Sequence, residues 1–492
     1  MKKFDRKQFL RKAATLAAAL TISPRLLYAN EKSKSEDADE TAFRRNEHAI
    51  IDLHCHPSQK MWLWNKKFWN AHLSVGKGEN LFPMQENHHQ FMFGNVRGVL
   101  ASHYLLEAAT EREWNTLRIF FRFIKFIPFL NIINKIEYES PANFDQIIRM
   151  IDKMTAQLDK MNSMQSDVKY VIATDYKKYE DALNDPKSIA VAHAIEGGHA
   201  LGRAFPISRK RQDELLKKNP SLYQQRLTLS KANDPAPYIK NLKVLAAKGV
   251  CLITLSHFFR NDLCYPVDGI SPDSKTTPGM AWEYTPDQDR PLSHVGKAVV
   301  KEMLRIGVIA DLTHTAPMAR QEIFALNKAR ANPRPLVFTH TGAQQIYEYY
   351  DMGHYPYYKF YAVSDEEIAQ IEECNGVIGV IAENFWLTGA DANMPDKFPK
   401  EQFRYGIPYI IQTLKYINSK TNSKKFDHVG IGTDFDGLAD NPKDLYKNRQ
   451  LADLFKAMQR DPELNQHDYI EKICYRNSQR VLQSGWGNPD PI

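Results

Sequence analysis

Cysteine is scarce in this chain and never clustered. Cys55, Cys251, Cys264, Cys374 and Cys474 are odd in number, widely spaced and without a CxxC pair. That excludes a disulfide framework and a cysteine-ligated zinc module. No apolar run approaches the roughly 18 residues that a transmembrane span needs. Low-complexity tracts and internal repeats are missing too, which excludes a collagen-like repeat and widespread disorder. Charge of one sign is also in short supply once its location is considered. The formal charge of +7 would suggest an anionic partner such as nucleic acid or a membrane surface. Residues 1–29, however, hold seven Lys/Arg against one Asp, and the remainder is left near +1. The one basic block beyond that point, Arg209-Lys210-Arg211, reads as a solvated helix start. A nucleic-acid partner is therefore not expected.

What is present is an ordinary globular mix, 43% apolar and 25% charged over 492 residues. It suits one large α/β domain with insertions, or two or three ordinary domains. Residues 1–29 read as an export signal: a basic start from Lys2 to Lys12, an apolar stretch over 13–22, and Leu27-Tyr28-Ala29 as a loose cleavage site. The stretch around Arg6-Lys7 is twin-arginine-like, with Lys7 in the place of the second arginine. The expected destination is the periplasm or cell envelope. Residues 30–47 are polar and charged, and are expected to form a flexible tether.

From residue 48 to about 486, short apolar runs alternate with amphipathic stretches. The runs fall at 49–53, 96–102, 170–174, 189–195, 250–256, 308–313, 335–339, 376–381 and 428–433. Helical spacing shows in 291–306, where Val295, Val299, Met303 and Ile306 recur, and in 365–373. Strands alternating with helices predict a parallel sheet with crossover helices. About eight such units predict an α/β fold of the (β/α)8 barrel (TIM barrel) type, enlarged by long loops near 57–95, 105–168, 203–240 and 385–425.

The strand ends carry the chemistry. Six apolar runs finish at His54-Cys55-His56, Glu196-Gly197-Gly198, Ser256-His257, Thr313-His314, Thr339-His340 and Thr433-Asp434. In a barrel these ends converge on one mouth. His54 and His56 are two apart, so they share a strand face and could grip one metal. Glu196 has two oxygens and could bridge to a second ion held by His314 and His340. Imidazoles and carboxylates suit Zn²⁺. A water shared by two such ions would be a nucleophile at neutral pH, and Asp434 could take and return its proton. Each residue alone has a bland reading as a hydrogen-bonded core or turn residue, and His103, His193, His199, His294 and His354 keep it. Thr433-Asp434-Phe435-Asp436-Gly437 could also be a calcium-like loop, although the further acids of such loops are missing. The ordered set of six favours a metal centre.

These motifs resemble the membrane dipeptidase (renal dipeptidase) family of zinc metallopeptidases, within the amidohydrolase superfamily. The likeness runs from about residue 50 to 482. It is carried by Ile195-Glu196-Gly197-Gly198-His199, by 253–257 with Asn261 following, by Asp311-Leu312-Thr313-His314, by Phe338-Thr339-His340-Thr341, by 432–437, and by Asn477-Ser478-Gln479-Arg480-Val481. The resemblance implies two zinc ions per chain. His54 and His56 would hold one, His314 and His340 the other, with Glu196 between them. It implies that His257 contacts the scissile carbonyl and stabilises the oxyanion, an effect of about 3 kcal/mol per donor. It makes Asp434 the acid/base, and Asn261 a further substrate contact.

Two positions depart from the family pattern. His56 stands where the family has Asp, which removes one negative charge from the site. Tyr361 aligns with the arginine that pairs with the terminal carboxylate of a dipeptide, and a phenol does not replace a guanidinium clamp. Near the first strand, Met61-Trp62-Leu63-Trp64 and Phe68-Trp69 form either an aromatic wall over the pocket or the packing of a long loop. The expected function is a dinuclear zinc hydrolase acting on a dipeptide or related small amide. Two alternatives stand beside it: an amidohydrolase for a substrate without a free C-terminal carboxylate, and a non-catalytic binding protein on the same fold. A homodimer stays open as the assembly.

Overall fold

Runs of Val, Ile, Leu and small residues, apolar on both faces, make strands that must be covered on both sides, as in a parallel sheet. The computed structural model describes residues 49–69, 84–105, 142–164, 168–202, 234–258, 261–267, 289–349, 358–388, 406–437 and 441–487. The expected export signal and tether, the Arg209-Lys210-Arg211 block, His354 and much of the long loops lie outside them.

All nine expected strands are present. They are β1 (Ile50–Cys55), β2 (Val96–Tyr104), β3 (Lys169–Ile172), β4 (Ser188–Glu196), β5 (Val250–Thr254), β6 (Ile309–Asp311), β7 (Val337–Thr341), β8 (Val377–Val380) and β9 (Val429–Ile431). Pairing is parallel in the order β1-β2-β4-β5-β6-β7-β8-β9. Strand β3 stands outside this path and pairs with the first half of β4, Lys169 to Ser188 through Ile172 to Val191. The other eight form a (β/α)8 barrel. Its seam between β9 and β1 is joined at the upper end, where the Asp434 amide donates to His54 O at 2.8 Å and the His56 amide to Phe435 O at 2.8 Å.

Around the barrel run α1 (Pro57–Trp64), α2 (His88–Phe93), α3 (Ala142–Asn162), α4 (Tyr176–Asn184), α5 (Ala236–Ala247), α6 (His294–Ile306), α7 (Pro317–Lys328), α8 (Asp365–Glu373), α9 (Ile407–Lys420), α10 (Leu451–Arg460) and α11 (Asn477–Gly485). Their ends follow local chemistry. Ser293 Oγ accepts the Gly296 amide to start α6, and Gly307 stops it at φ 78°. Ser364 and Glu367 form a reciprocal capping box at α8. The buried faces of these helices close over the strands. Val295, Val299, Val300 and Met303 of α6 are buried there, as the helical spacing predicts. Inside the barrel, Ile51, Leu53, Leu100, Ala192, Leu252, Ile309, Val337 and Val377 belong to one apolar cluster beneath the mouth. No helix among the described residues is long and apolar enough to cross a membrane.

Candidate metal centre and active site

Each strand end delivers its polar residue to the mouth by a different local route. His54 lies within β1, and His56 caps α1, with φ −118° and ψ 55°. Glu196 is the last residue of β4, and His340 sits within β7. His257, His314 and Asp434 each follow their strand by three residues. His314 and Asp434 are left-handed, at φ 62° and 57°, a conformation that side-chain-bearing residues rarely adopt and that concentrates at functional sites. Gly437 makes the Asp434 position feasible, because a Cβ there would come 2.1 Å from Asp434 Oδ1. Gly432 does the same for β7, since its Cβ would meet Thr339 O at 1.8 Å.

The four histidines of the proposed ligand set turn their Nε2 atoms inward. His54 and His56 Nε2 are 3.0 Å apart, and those of His314 and His340 are 3.1 Å apart. Between the two pairs stands the Glu196 carboxylate. Its Oε1 lies 3.4 Å from His54, 3.2 Å from His314 and 3.4 Å from His340, while Oε2 lies 3.4 Å from His56. Two sets of ligand atoms, His54/His56/Glu196 and Glu196/His314/His340, are each tight enough for one ion. Asp434 Oδ1 is 3.1 Å from His56 Nε2, and His257 Nε2 is 3.8 Å from Glu196 Oε2. All seven side chains are buried.

Burial sets much of the electrostatics. It pushes His340 well below the ordinary imidazole range, with His54 adding to the effect, and it lowers His314, with His257 adding. It carries His257 down to about 4 against the pull of Glu196 and Asp434. These three rings are therefore neutral at pH 7, the state that ligates a metal or donates a hydrogen bond. Burial opposes the charge on Glu196, yet His257, His54 and His314 outweigh it and hold the carboxyl well below its usual range. His54 differs from these three: burial lowers it, but Glu196 and Asp434 together raise it.

Two further residues expected at the site have other surroundings. Asn261 donates to Leu255 O at 2.8 Å and accepts the amides of Leu263 and Cys264, so it braces its own loop. Tyr361 is fully buried, stacked on Trp386 with ring centroids 4.6 Å apart, and its ring meets His314 edge-on at 5.1 Å. Behind it, Arg320 is buried in an ion pair with Glu367 at 3.0 Å and donates to Tyr361 O. The alternative of a calcium-like loop is overturned. Both Asp436 oxygens are already engaged: the carboxylate pairs with buried Lys60 at 2.7 Å and accepts the amides of Gln85 and Glu86.

A family model, membrane dipeptidase (peptidase family M19), matches residues 227–485. The chain belongs to this family. An uncharacterized dipeptidase of Schizosaccharomyces pombe is 27% identical over 194 residues, 39% of this chain and 40% of its own length. Dipeptidase tcpJ of Claviceps purpurea is 26% identical over 242 residues, 49% of this chain and 46% of its own length. The chain thus spans less than half the length of these curated relatives. Among solved structures, a metallopeptidase from Rhodobacter sphaeroides liganded with a phosphinate mimic of L-Ala-D-Ala superposes with a TM-score of 0.59 at 15% identity, covering 89% of this chain and 99% of that one. The probable dipeptidase PvdM of Pseudomonas aeruginosa gives 0.54 at 14% identity, covering 89% and 96%. At such identities the likeness is one of fold. The family match takes in His257, His314, His340, Tyr361 and Asp434. His54, His56 and Glu196 lie before its first matched residue and are joined to the others by geometry.

Sequence reasoning overlooked the residues that surround this centre. Tyr104, Phe258 and Trp386 enclose His257 and His314, with Tyr104 4.2 Å and Phe258 3.8 Å from the His257 ring. In the tryptophan-rich stretch near β1, Trp62 and Phe68 make packing contacts. Lys153 of α3 lies over Trp62, and Phe68 packs on Phe91 and Tyr170. The buried carboxylates Asp52 and Asp311 and their threonine partners were also passed over. An Asp inside an otherwise apolar strand, as in Ile50-Ile51-Asp52-Leu53 and Ile309-Ala310-Asp311-Leu312, was the available signal, because a buried charge needs dedicated partners.

Proposed function

We propose that the protein is a metal-dependent hydrolase that cleaves the amide bond of a dipeptide or a related small amide, with two zinc ions as its cofactor. The observation that carries this reading is the convergence of four histidine Nε2 atoms on the two oxygens of one buried glutamate, at 3.2 to 3.4 Å. Buried imidazoles facing a single carboxylate are a donor set for zinc or a similar ion. His54, His56 and Glu196 would hold one ion, and Glu196, His314 and His340 the other. When bound, such ions polarise a carbonyl and make water acidic.

The chain's own residues supply the rest. Asp434 accepts a proton from the attacking water and returns it to the leaving amine as the C–N bond breaks. His257, neutral at pH 7, donates a hydrogen bond to the carbonyl oxygen as it gains charge. Tyr104, Phe258 and Trp386 exclude water around that oxygen and favour an apolar substituent. With His56 in the place of an aspartate, the centre carries one negative charge fewer, which weakens its hold on hard cations relative to zinc.

A second reading concerns the substrate's C-terminal end. Tyr361, buried under Trp386, stands at the aligned position of the family's carboxylate-pairing arginine, and Arg320 behind it is already paired with Glu367. This favours substrates whose C-terminal carboxylate is absent or blocked. The test is a hydrolysis screen of zinc-loaded protein against dipeptides with free, amidated and D-configured C-terminal residues, read by amine release. Turnover of any of these supports the amide-hydrolase reading, and preference for amidated ends supports the second. No turnover of any member by a fully loaded protein would overturn the proposal.

A further inference from the structure

One hydroxyl lies behind both halves of the centre. Thr339 Oγ1 is 3.1 Å from His54 Nδ1, 2.9 Å from His340 Nδ1 and 2.6 Å from Asp311 Oδ2. A hydroxyl has one proton and two lone pairs. The Asp311 carboxylate is an acceptor, so Thr339 donates its proton there. Both imidazoles must then donate Nδ1–H to Thr339, which leaves their Nε2 lone pairs facing Glu196. Asp311 itself is saturated. Its oxygens accept from Thr254 Oγ1, the Thr313 amide and hydroxyl, and the Thr339 amide and hydroxyl. Although His54, Asp311 and His340 lie close enough to suggest a further ion, the Asp311 oxygens are thus already taken and the Nδ1 edges face Thr339.

The other two histidines differ. His56 Nδ1 and His314 Nδ1 are buried without a hydrogen-bond partner among the described residues. Each half of the centre therefore pairs one braced ring with one unbraced ring, and both braces end on the same oxygen. We propose that Thr339, oriented by Asp311, is a positioning residue shared by both metal half-sites. It fixes the tautomer and the ring direction of His54 and His340 together, so the two ions are bound or lost in concert. The inference rests on the metal-centre reading above.

The experiment compares the unaltered chain with Thr339→Val, which keeps the shape but not the hydroxyl, and with Thr339→Ser, which keeps the hydroxyl. Zinc affinity is measured by chelator competition. Nitrogen-15 NMR of the histidines in metal-free protein reads the tautomers. The serine variant should keep both affinities and Nδ1–H signals at His54 and His340. The valine variant should weaken both binding steps together, by about 10- to 100-fold, and show mixed tautomers at those two rings. Unchanged affinities, or weakening confined to one step, would overturn the proposal. If the unaltered chain binds no zinc, the metal reading fails. The tautomers, read at a pH high enough that both rings are neutral, still decide the brace: Nδ1–H at both rings supports it and an Nε2–H tautomer lacking Nδ1–H at either refutes it. If circular dichroism shows that the valine variant is unfolded, Thr339→Ala takes its place with the same expectations.

Discussion

Asp434 illustrates how much a single position is asked to satisfy. Its amide closes the barrel seam on His54 O, its carboxylate lies 3.1 Å from His56 Nε2, and its backbone is left-handed at φ 57°. Asp434→Asn keeps the shape and one oxygen but cannot carry a proton. The variant should bind zinc with the stoichiometry of the unaltered chain and lose turnover by about 10²- to 10⁴-fold, as measured by metal analysis alongside steady-state kinetics. Unimpaired turnover would remove Asp434 from the proton path. Glu196 is the complementary case. Glu196→Gln replaces the one carboxylate that both histidine pairs face, so both zinc ions should be lost or bound at least about tenfold more weakly. Retention of both at full affinity, read by chelator competition, would exclude it as the shared ligand.

At the scale of elements, the strands and their polar ends were legible because a barrel strand is a short apolar run that stops abruptly, and the stop marks the mouth. The ends of β1, β4, β5, β6, β7 and β9 were therefore readable as a set before any geometry. Loop packing was not legible. Trp62 and Phe68 carry no period that says which way a loop folds, and their ring contacts prove to be with Lys153 of α3 and with Phe91 of α2 and Tyr170. The buried braces were hidden for another reason: Thr339 and Asp311 matter through their partners, and partners 28 residues apart leave no local spacing. The β2–β4 pair holds one more consequence. His103 Nε2 and His193 Nδ1 meet at 2.9 Å on neighbouring strands, with Ser58 of α1 on the far side of His103. Burial, aided by Lys248, pushes His193 down to about 4, and burial with His193 lowers His103 well below its ordinary value. Between pH 6.5 and about 4 the unfolded chain then binds more protons at His193 than the folded one, so stability falls as pH drops through that window. His193→Asn should flatten this part of the stability–pH profile in denaturant titrations, by an amount on the order of a few kcal/mol across the window. An unaltered slope would show that His193 takes its proton without cost in the folded state.

For the whole molecule, the fold and the family are in agreement with the order of motifs along the chain, and the charge excess that first suggested an anionic partner is confined to its first 29 residues. The proposed centre would draw its ligands from β1, β4, β6 and β7 and so couple metal binding to global stability. Chelation should lower the midpoint of thermal unfolding by several degrees, and zinc at about 100 times its Kd should restore about 2.7 kcal/mol. Magnesium should restore little, since imidazoles are poor partners for it. Differential scanning fluorimetry with each ion provides the check, and an equal response to magnesium would contradict the zinc assignment.

The seam between β9 and β1 bears on how the protein is made. Asp52 on β1 accepts the amide and hydroxyl of Thr433 just after β9, from residues 381 positions away in the chain, and the neighbouring bonds carry His54, His56 and Asp434 themselves. Contacts between such distant segments are slow to form, because the chain must lose much of its freedom before they are made. The two ends of the barrel meet beside the proposed metal centre, so the backbone bonds that fix His54 and His56 against the segment after β9 form only once that last strand has left the ribosome. A chain cut short before β9 would keep all five proposed ligands but lose the bonds from Asp434 and Phe435 that hold the His54 and His56 backbone in place.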